Sequence, residues 1–425
     1  MVYSKTARDF LVRHGMAPER IDPDEWIGPM LDEMRSGLAG GPCSMDMIPT
    51  YLSNDGTLET GKCAAVIDAG GTNFRCALVR FGAEGPELSH VSKCRMPGIE
   101  RPYSWEEFIS FTADRVEPLM DRTELIGFCF SYATVITPEM DGRVIAIDKE
   151  VVVTGCEGKL LGASLSEELA RRGYPGRRVV VLNDTVAVLL GGASSLEKTA
   201  YDGFIGQVSG TGTNTCVSLP VSQIGKLGLT GARGMIVNLE SGKYSGLPLG
   251  DFDRSLDAES LNPGQKHFEK LTAGVYLGEL CRLMLRAAAD EGLLSEAGAE
   301  KVRALPAIDS AVIDAWANGE GTALLGPDPA DHAFARELSL AVFRRSARCM
   351  CVNLVALALL TGGGREKRVC VLAEGSLIQK GRSYRPELEA LLARYAAEER
   401  GLKLELRVTE ETTLPGSAAA ALLNA

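Results

Sequence analysis

The tripeptide Gly-Thr-Asn occurs twice in this chain, at residues 71–73 and 212–214, and each copy lies between two segments typical of strands. The first comes after AAVIDAG and before FRCALVRF, and the second comes after FIGQVS and before TCVSL. A tripeptide repeats easily by coincidence, but the similar flanking segments favour duplication of one strand–turn–strand segment. Duplication predicts two similar lobes, each of which offers a glycine- and threonine-rich turn to one cleft.

The remaining segments predict an α/β fold, because strand and helix patterns alternate along the 425 residues. Predicted strands cover residues 64–68, 74–81, 125–130, 179–182, 369–372 and 402–408. Predicted helices cover residues 6–14, 24–36, 104–120, 164–172, 267–289, 330–360, 386–399 and 417–423. Ser104 and Glu107 have the spacing of a capping box, which predicts a helix start at this point.

Composition excludes several classes of partner. The chain has 45 basic and 56 acidic residues, a net charge of −11, whereas nucleic-acid binding needs clustered Lys and Arg. We expect no membrane partner, because the start has no apolar signal segment and the most apolar stretch, 349–360, is shorter than the about 20 residues of a span. Eleven scattered cysteines without a CxxC motif predict reduced thiols in the cytoplasm.

The first glycine- and threonine-rich turn, residues 68–73, has the composition of an anion-binding turn. Successive backbone N–H groups, together with donors on Thr72 and Asn73, suit phosphate. Asp68, at the end of a predicted strand, could hold Mg²⁺ directly or through water. An ordinary glycine turn between two strands explains the same residues equally well.

The second turn, residues 209–214, reads Ser-Gly-Thr-Gly-Thr-Asn and alternates hydroxyl side chains with glycine. Such a turn can surround phosphoryl oxygens with amide and hydroxyl donors. It fits neither the P-loop nor the dinucleotide-binding motif. An ordinary turn is a weaker explanation here, since the chain already contains one such turn.

Four further polar residues follow predicted strands or turns. Asn183 and Asp184 come after VVVL, where the active sites of α/β sheets lie, and Asp184 could accept a hydroxyl proton during phosphoryl transfer. On the residues alone, a helix N-cap is the preferred explanation for Asp184. Glu240 and Glu269 suit a polyol ligand, because a carboxylate accepts several hydrogen bonds, although surface glutamates are the simpler explanation.

Eight segments then follow one another in order between residues 44 and 282. They are IPTYL at 48–52, VIDAGGTNFR at 66–75, GFCFS at 127–131, TGCEGK at 154–159, LNDTVAVLLGGA at 182–193, SGTGTN at 209–214, VNLESGKY at 237–244 and SLNPGQKHFEKLTAGVYLGEL at 260–280. In this order they resemble the hexokinase family of ATP-dependent sugar kinases. The resemblance implies a two-lobed actin-like ATPase (ribonuclease H-like) fold with a central cleft.

The resemblance also implies two sets of site residues, with ATP and Mg²⁺ as cofactors and Asp68 holding Mg²⁺ through water. The implied nucleotide-binding residues are Asp68, Gly70, Gly71, Thr72, Asn73, Arg75, Gly210, Thr211, Gly212, Thr213, Gly375, Ser376, Gly416 and Ser417. The implied sugar-binding residues are Ser131, Lys149, Asn183, Asp184, Asn214, Glu240 and Glu269, with Asp184 as general base.

The chain departs from the family pattern at several positions. The family usually has Pro in place of Ala133, Thr in place of Asp148 and Asp in place of Glu374, and a Gly-Lys pair where alanines follow Ser417. Asp148 either pairs with a neighbouring cation or accepts from a sugar hydroxyl, and the second arrangement would change the preference among hexoses.

The implied activity is phosphorylation of a hexose, with glucose as the first choice, at the 6-hydroxyl in glycolysis. The alternatives are a kinase for mannose, fructose or an N-acetylhexosamine, and a non-catalytic sugar sensor. We expect a small lobe of residues 63–185 plus 413–425 and a large lobe of residues 1–62 plus 186–412, with the cleft between them.

Overall fold

The computed structural model describes residues 3–147, 151–231 and 233–425. Its strands are β1 (Ile48–Pro49), β2 (Cys63–Ala69), β3 (Asn73–Gly82), β4 (Gly85–Arg95), β5 (Tyr103–Ser104), β6 (Leu125–Phe130), β7 (Thr134–Ile136), β8 (Gly142–Val144), β9 (Val153–Thr154), β10 (Arg178–Leu182), β11 (Tyr201–Ser209), β12 (Thr213–Pro220), β13 (Gly234–Asn238), β14 (Arg368–Glu374) and β15 (Leu404–Val408). The strand–turn–strand prediction is confirmed for both Gly-Thr-Asn copies, which join β2 to β3 and β11 to β12.

The α-helices lie between groups of strands, and six of them follow one another after residue 250. They are α1 (Lys5–Arg13), α2 (Pro23–Ala39), α3 (Trp105–Val116), α4 (Leu161–Arg171), α5 (Asp184–Ser194), α6 (Asp251–Glu259), α7 (His267–Thr272), α8 (Gly274–Asp290), α9 (Glu296–Arg303), α10 (Ser310–Ala317), α11 (Pro329–Thr361), α12 (Ser376–Lys380), α13 (Tyr384–Leu392) and α14 (Thr413–Asn424). The capping box of α3 is confirmed, because the Glu107 N–H donates to Ser104 Oγ at 3.1 Å and the Ser104 N–H to Glu107 Oε2 at 2.8 Å.

The chain forms two compact units. The first consists of Met1–Asp46, Val208–Asn214 and Glu240–Val408, and the second of Met47–Gln207, Thr215–Leu239 and Thr409–Ala425. The second unit contains the whole predicted small lobe. It also contains residues 47–62, because β1 pairs with β13, and residues 186–207, because α5 packs against α14. Where the two lobes divide stays a prediction.

The second unit contains a five-stranded sheet in the order β10-β6-β2-β3-β4. Strands β10, β6 and β2 are parallel to one another, whereas β3 and β4 continue the sheet as an antiparallel meander. The carboxyl ends of the three parallel strands therefore lie at one edge. That edge places Asp68, Ser131 and the Asn183-Asp184 pair beside each other in the sheet.

Helix α14 covers this sheet closely because three glycines remove side chains from the contact. A Cβ at Gly127 would overlap the Ser417 carbonyl, one at Gly191 the Thr412 carbonyl, and one at Gly416 the Ala187 carbonyl. A larger side chain at any of them would separate strand β6 or helix α5 from α14. Helices α3 and α4 pack with the sheet in an apolar cluster that includes Phe108, Phe128 and Leu165.

The first unit is built around α11, which has buried residues along most of its length and contacts α2, α8, α10 and α13. Arg345 of this helix forms a two-point ion pair with Asp253, and both side chains are buried. Strands β14 and β15 pair in parallel in the same unit.

The predicted helix over residues 267–289 is interrupted at Ala273, whose backbone is extended (φ −85°, ψ 137°). This break lets α8 begin at Gly274, whose N–H donates to the Gly210 carbonyl at 2.7 Å. The predicted last helix begins at Thr413 rather than residue 417, since the first turn of a helix tolerates Pro415. Among the described residues, no helix is both long and apolar enough to cross a membrane.

Candidate active site

Asp68 lies near the end of β2 and is almost completely buried. Its Oδ2 accepts from Arg75 Nε at 2.8 Å, because the register of β2 and β3 places the two residues opposite each other. Burial raises the pKa of the Asp68 carboxyl, Arg75 opposes that rise, and the negative charge of Asp184 adds to it. Asp68 and Asp184 are therefore close enough to influence each other electrostatically.

The same row of the sheet continues to both sides of Asp68. The register places Lys93 of β4 opposite Arg75, and Cys129 of β6 opposite Asp68. The Arg75 guanidinium thus lies beside Asp68 on one side, Lys93 lies one strand beyond Arg75, and the Cys129 thiol lies on the other side of Asp68. Lys93 and Cys129 are not among the predicted site residues, because a cross-strand neighbour depends on register and carries no local signal in the sequence.

Cys129 is fully buried at this edge. Burial raises the pKa of its thiol well above the ordinary value, and the charges of Asp68 and Asp184 raise it further. The Ser131 hydroxyl lowers the pKa of this thiol, which only partly offsets the effect of burial. A protonated thiol therefore lies opposite Asp68, and the predicted sugar residue Ser131 is close enough to influence it.

The predicted N-cap role of Asp184 is wrong, because Asn183 caps α5. The Asn183 Oδ1 accepts from the Thr185 N–H at 2.9 Å, and Asp184 is the first residue of the helix. The Asp184 Oδ1 also accepts from the Thr185 N–H, at 2.7 Å, and the residue is only partly buried. The carboxylate is therefore accessible at the carboxyl end of β10, and its role as a general base stays a prediction.

A second group of predicted residues meets in the first unit. The Asn214 Nδ2 donates to Glu240 Oε1 at 3.2 Å, and the Ser241 N–H donates to Asn214 Oδ1 at 3.2 Å. Glu240 adopts a left-handed backbone (φ 55°) at the start of a short turn. The Thr213 N–H lies 3.4 Å from Glu269 Oε2. Two carboxylates and an amide are thus held together beside the second turn.

The second turn also contacts the predicted adenosine residues. A Cβ at Gly210 would lie 3.2 Å from the Ser376 backbone nitrogen and 3.4 Å from the Gly375 Cα. Gly375 has a φ of 122°, which favours glycine, and its own Cβ would crowd the Ser209 carbonyl at 2.5 Å. The Gly210 N–H also donates to the Gly212 carbonyl at 3.0 Å, so the predicted residues Gly210, Gly212, Gly375 and Ser376 form one compact region.

The predicted nucleotide-binding residues Gly416 and Ser417 lie within α14, and the buried Ser417 hydroxyl donates to the Thr413 carbonyl at 2.8 Å. The close approach of α14 to α5 and β6 explains their small size. Their role in nucleotide binding stays a prediction. Lys149 and Asp148 lie outside the described residues.

The side chains at the carboxyl ends of the parallel strands offer few ligands for Mg²⁺. The described residues contain no group of three or more His, Cys, Asp or Glu side chains that could hold a metal ion. Asp68 offers a single carboxylate, and Mg²⁺ in phosphate-binding enzymes is held by one or two carboxylates while waters and substrate phosphates complete its coordination. The donor set therefore fits Mg²⁺ brought with a phosphate ligand and does not fit a permanent metal centre.

Comparisons with known proteins match nearly the whole chain. Residues 22–194 and 204–423 match two family models, both described as hexokinase. Hexokinase-2, chloroplastic, of Nicotiana tabacum is 35% identical over 276 residues, which are 60% of this chain and 54% of that protein. Hexokinase-4, chloroplastic, of Oryza sativa subsp. japonica is 30% identical over 434 residues, which cover 93% of this chain and 84% of that protein. The chain thus spans little more than half of the tobacco relative.

A solved structure described as hexokinase from Schistosoma mansoni complexed with glucose superimposes with a TM-score of 0.79 at 21% identity, covering 98% of this chain and 99% of its own. At 21% identity, this similarity shows that the two proteins share a fold. It confirms the predicted α/β fold of the actin-like ATPase type.

Proposed function

Because this chain belongs to the hexokinase family, we propose that it transfers the γ-phosphoryl group of ATP to the 6-hydroxyl of a hexose, with glucose as the first candidate. The observation that carries this proposal is the placement of Asp68 and Asp184 at the carboxyl ends of parallel strands, within electrostatic reach of each other. One carboxylate is buried beside a cation and the other is partly exposed. This difference suits Asp68 to holding a metal ion and Asp184 to accepting a hydroxyl proton.

In the proposed reaction, ATP with bound Mg²⁺ supplies an electrophilic phosphorus and a neutralised leaving group. Asp184 orients the primary hydroxyl and accepts its proton while the new oxygen–phosphorus bond forms. Arg75 places positive charge beside Asp68, where phosphate charge would accumulate, and Lys93 adds a second cation one strand further along the same row. ADP and the hexose 6-phosphate leave, and Asp184 returns its proton to solvent.

Residues of the first unit support hydroxyl and phosphate recognition in this proposal. Glu240 and Glu269 present carboxylate acceptors, which suit the several hydroxyls of a sugar. The second turn combines backbone amides with the exposed Thr211 hydroxyl. Because both carboxylates and both turns are present, a non-catalytic sugar sensor is the less favoured function.

A phosphoryl-acceptor panel tests the proposal. Release of ADP from MgATP is measured with glucose, mannose, fructose and N-acetylglucosamine, and without acceptor. We expect release that depends on a hexose and a product that carries phosphate on its 6-oxygen. No acceptor-dependent release with any of the four sugars, from protein shown to be folded by circular dichroism, would contradict the proposal.

The side chain of Thr211 gives a clean test of the second turn. Thr211→Ala should raise the KM for ATP about tenfold, because one hydroxyl donor to a charged phosphate is lost. Gly210→Val is unsuitable, since even a Cβ at this position would press on Ser376. The exposed Thr199→Ala in the other unit serves as the matched control. Unchanged KM and kcat in Thr211→Ala would remove this turn from the phosphate site.

Sugar preference is proposed to depend on Asp148. Replacement by Thr, the usual family residue, should change the glucose-to-mannose or glucose-to-fructose ratio of kcat/KM by about tenfold or more, because a charged acceptor becomes a neutral hydroxyl. The same acceptor panel provides the measurement. Ratios that match those of the parent would place Asp148 away from the sugar.

We also propose a cytoplasmic location, on the evidence of the thiols. Ten of the eleven cysteines, all except Cys43, are free thiols, and most of these ten are buried. Free thiols persist in reducing compartments. Two of the relatives are named as chloroplastic, so fractionation of the native host cells, with antibody detection, is the deciding measurement.

A further inference from the structure

Tyr132 follows the predicted sugar residue Ser131 and contacts the first turn. Its side chain is 6% exposed, and its hydroxyl lies 3.1 Å from the Gly70 carbonyl oxygen and 3.4 Å from that of Gly71. The hydroxyl therefore shares its single proton between two successive carbonyls of this turn, with the shorter contact to Gly70. The ring packs against Phe130, with the ring centroids 5.1 Å apart, so that the hydroxyl is held in place by the core of the second unit.

A third carbonyl of the turn is held as well. The Met96 N–H donates to the Thr72 carbonyl at 3.0 Å, and the Gly70 N–H donates to the Asn73 carbonyl at 3.2 Å. The carbonyls of Gly70 and Gly71 thus share one donor from outside the turn, the Tyr132 hydroxyl, and the carbonyl of Thr72 has a second, the Met96 N–H. These donors determine the rotation of the peptide planes between Gly70 and Asn73.

The orientation of the carbonyls determines that of the amides. The described peptide bonds are trans, and in a planar trans peptide the C=O and the N–H point to opposite sides. Fixing the carbonyls of Gly70, Gly71 and Thr72 therefore directs the following N–H groups, on Gly71, Thr72 and Asn73, away from their donors. Consecutive N–H groups directed in this way form an anion-binding concavity.

The glycine at position 71 agrees with this arrangement. Its φ is not positive, so the backbone alone does not require glycine. A Cβ built on Gly71 would meet no described atom within 4 Å. Glycine here leaves the backbone open to close approach by a ligand, as phosphate-binding turns require.

We propose that Tyr132 is a positioning residue for the first turn, whose hydroxyl orients the amides of Gly71 and Thr72 toward the phosphates of the nucleotide. This inference rests on the proposed function. It adds a role for a residue next to the predicted sugar contact: Ser131 would serve the acceptor, and Tyr132 the phosphate donor. The hydroxyl itself touches neither substrate.

Tyr132→Phe removes a single oxygen atom and keeps the ring. We expect the Kd for MgADP, measured by titration calorimetry, and the KM for ATP to rise about three- to tenfold, the effect of one neutral hydrogen bond. The KM for the hexose at saturating ATP should stay within about twofold. A purely structural role for the hydroxyl would lower the melting temperature without separating the two KM values.

Tyr174→Phe is the matched control, because this partly buried tyrosine belongs to the same unit and packs at the edge of its core. Tyr132→Phe with parental Kd for MgADP and parental KM for ATP would overturn the positioning role while hexose phosphorylation by the parent stands. A parent protein that binds no MgADP would overturn both this inference and the proposed function. The two failures are therefore distinguishable.

Discussion

Asp184→Asn is expected to lower kcat by about 10²–10⁴-fold, the usual contribution of a positioned general base. An amide has the shape of the carboxylate but cannot accept the hydroxyl proton at neutral pH. Its oxygen can still accept from the Thr185 N–H, so the first turn of α5 should persist. The KM for the sugar should change less than kcat, because the proposed sugar site has several other polar groups.

The control for Asp184→Asn is Glu106→Gln. Glu106 is also a carboxylate in the first turn of a helix, α3, in the same unit. Both variants lose the favourable interaction of a carboxylate with the helix N-terminus, about 0.3–1 kcal/mol. Steady-state kinetics at saturating ATP and hexose separate the two variants. A kcat for Asp184→Asn within tenfold of the parent would show that Asp184 is not the general base and serves only as the first residue of α5.

Asp68→Asn is expected to change activity and stability in opposite directions. Activity should fall on the order of 10²–10³-fold, the loss typical of removing one electrostatic contribution to the transition state. The dependence on free Mg²⁺ should shift to higher concentrations. Stability at neutral pH should rise, because burial, the largest influence, raises the pKa of Asp68, which means that ionising this carboxylate costs folding free energy.

The free energy of unfolding of the parent relative to Asp68→Asn should change with pH in one direction. A carboxyl whose pKa is raised by folding binds its proton more readily in the folded state, so the folded state loses stability as the pH rises from the ordinary value of 3.8 through the folded pKa. The asparagine variant lacks this loss. Its stability advantage should be largest at neutral pH and should disappear as the pH falls toward 3.8. Urea unfolding of both proteins across this range measures the difference.

Asp253→Asn is a matched control with the opposite expectation. Asp253 pairs with Arg345, and both side chains are buried, whereas the Arg75 side chain is 31% exposed and can be solvated when Asp68 is neutral. Removing one partner of a buried pair typically costs about 3–5 kcal/mol. An Asp68→Asn variant that is less stable than the parent at pH 7 would show that the Arg75 pair outweighs burial.

Local interactions explain why the sequence predicts most elements. Strand β6 has the predicted bounds, because an apolar run between polar segments is sufficient to define a buried strand. Helix α3 begins where Ser104 and Glu107 predict, since a capping box involves residues three apart. The two glycine- and threonine-rich turns are likewise local. The break at Ala273 is not predicted, because an alanine inside a helical pattern is typical of a continuous helix. The break accompanies a hydrogen bond between the next residue and the distant Gly210.

The sequence by itself determined the elements, the two turns and the motif series that implies the sugar-kinase reaction. Tertiary structure decided which side chains surround them. Lys93, Arg75, Asp68 and Cys129 become neighbours only through the register of four strands, and Tyr132 meets Gly70 about sixty residues away only because β6 lies beside β2. The physical reason is that register and packing are set by the summed burial and hydrogen bonding of whole strands, which no short stretch of sequence specifies.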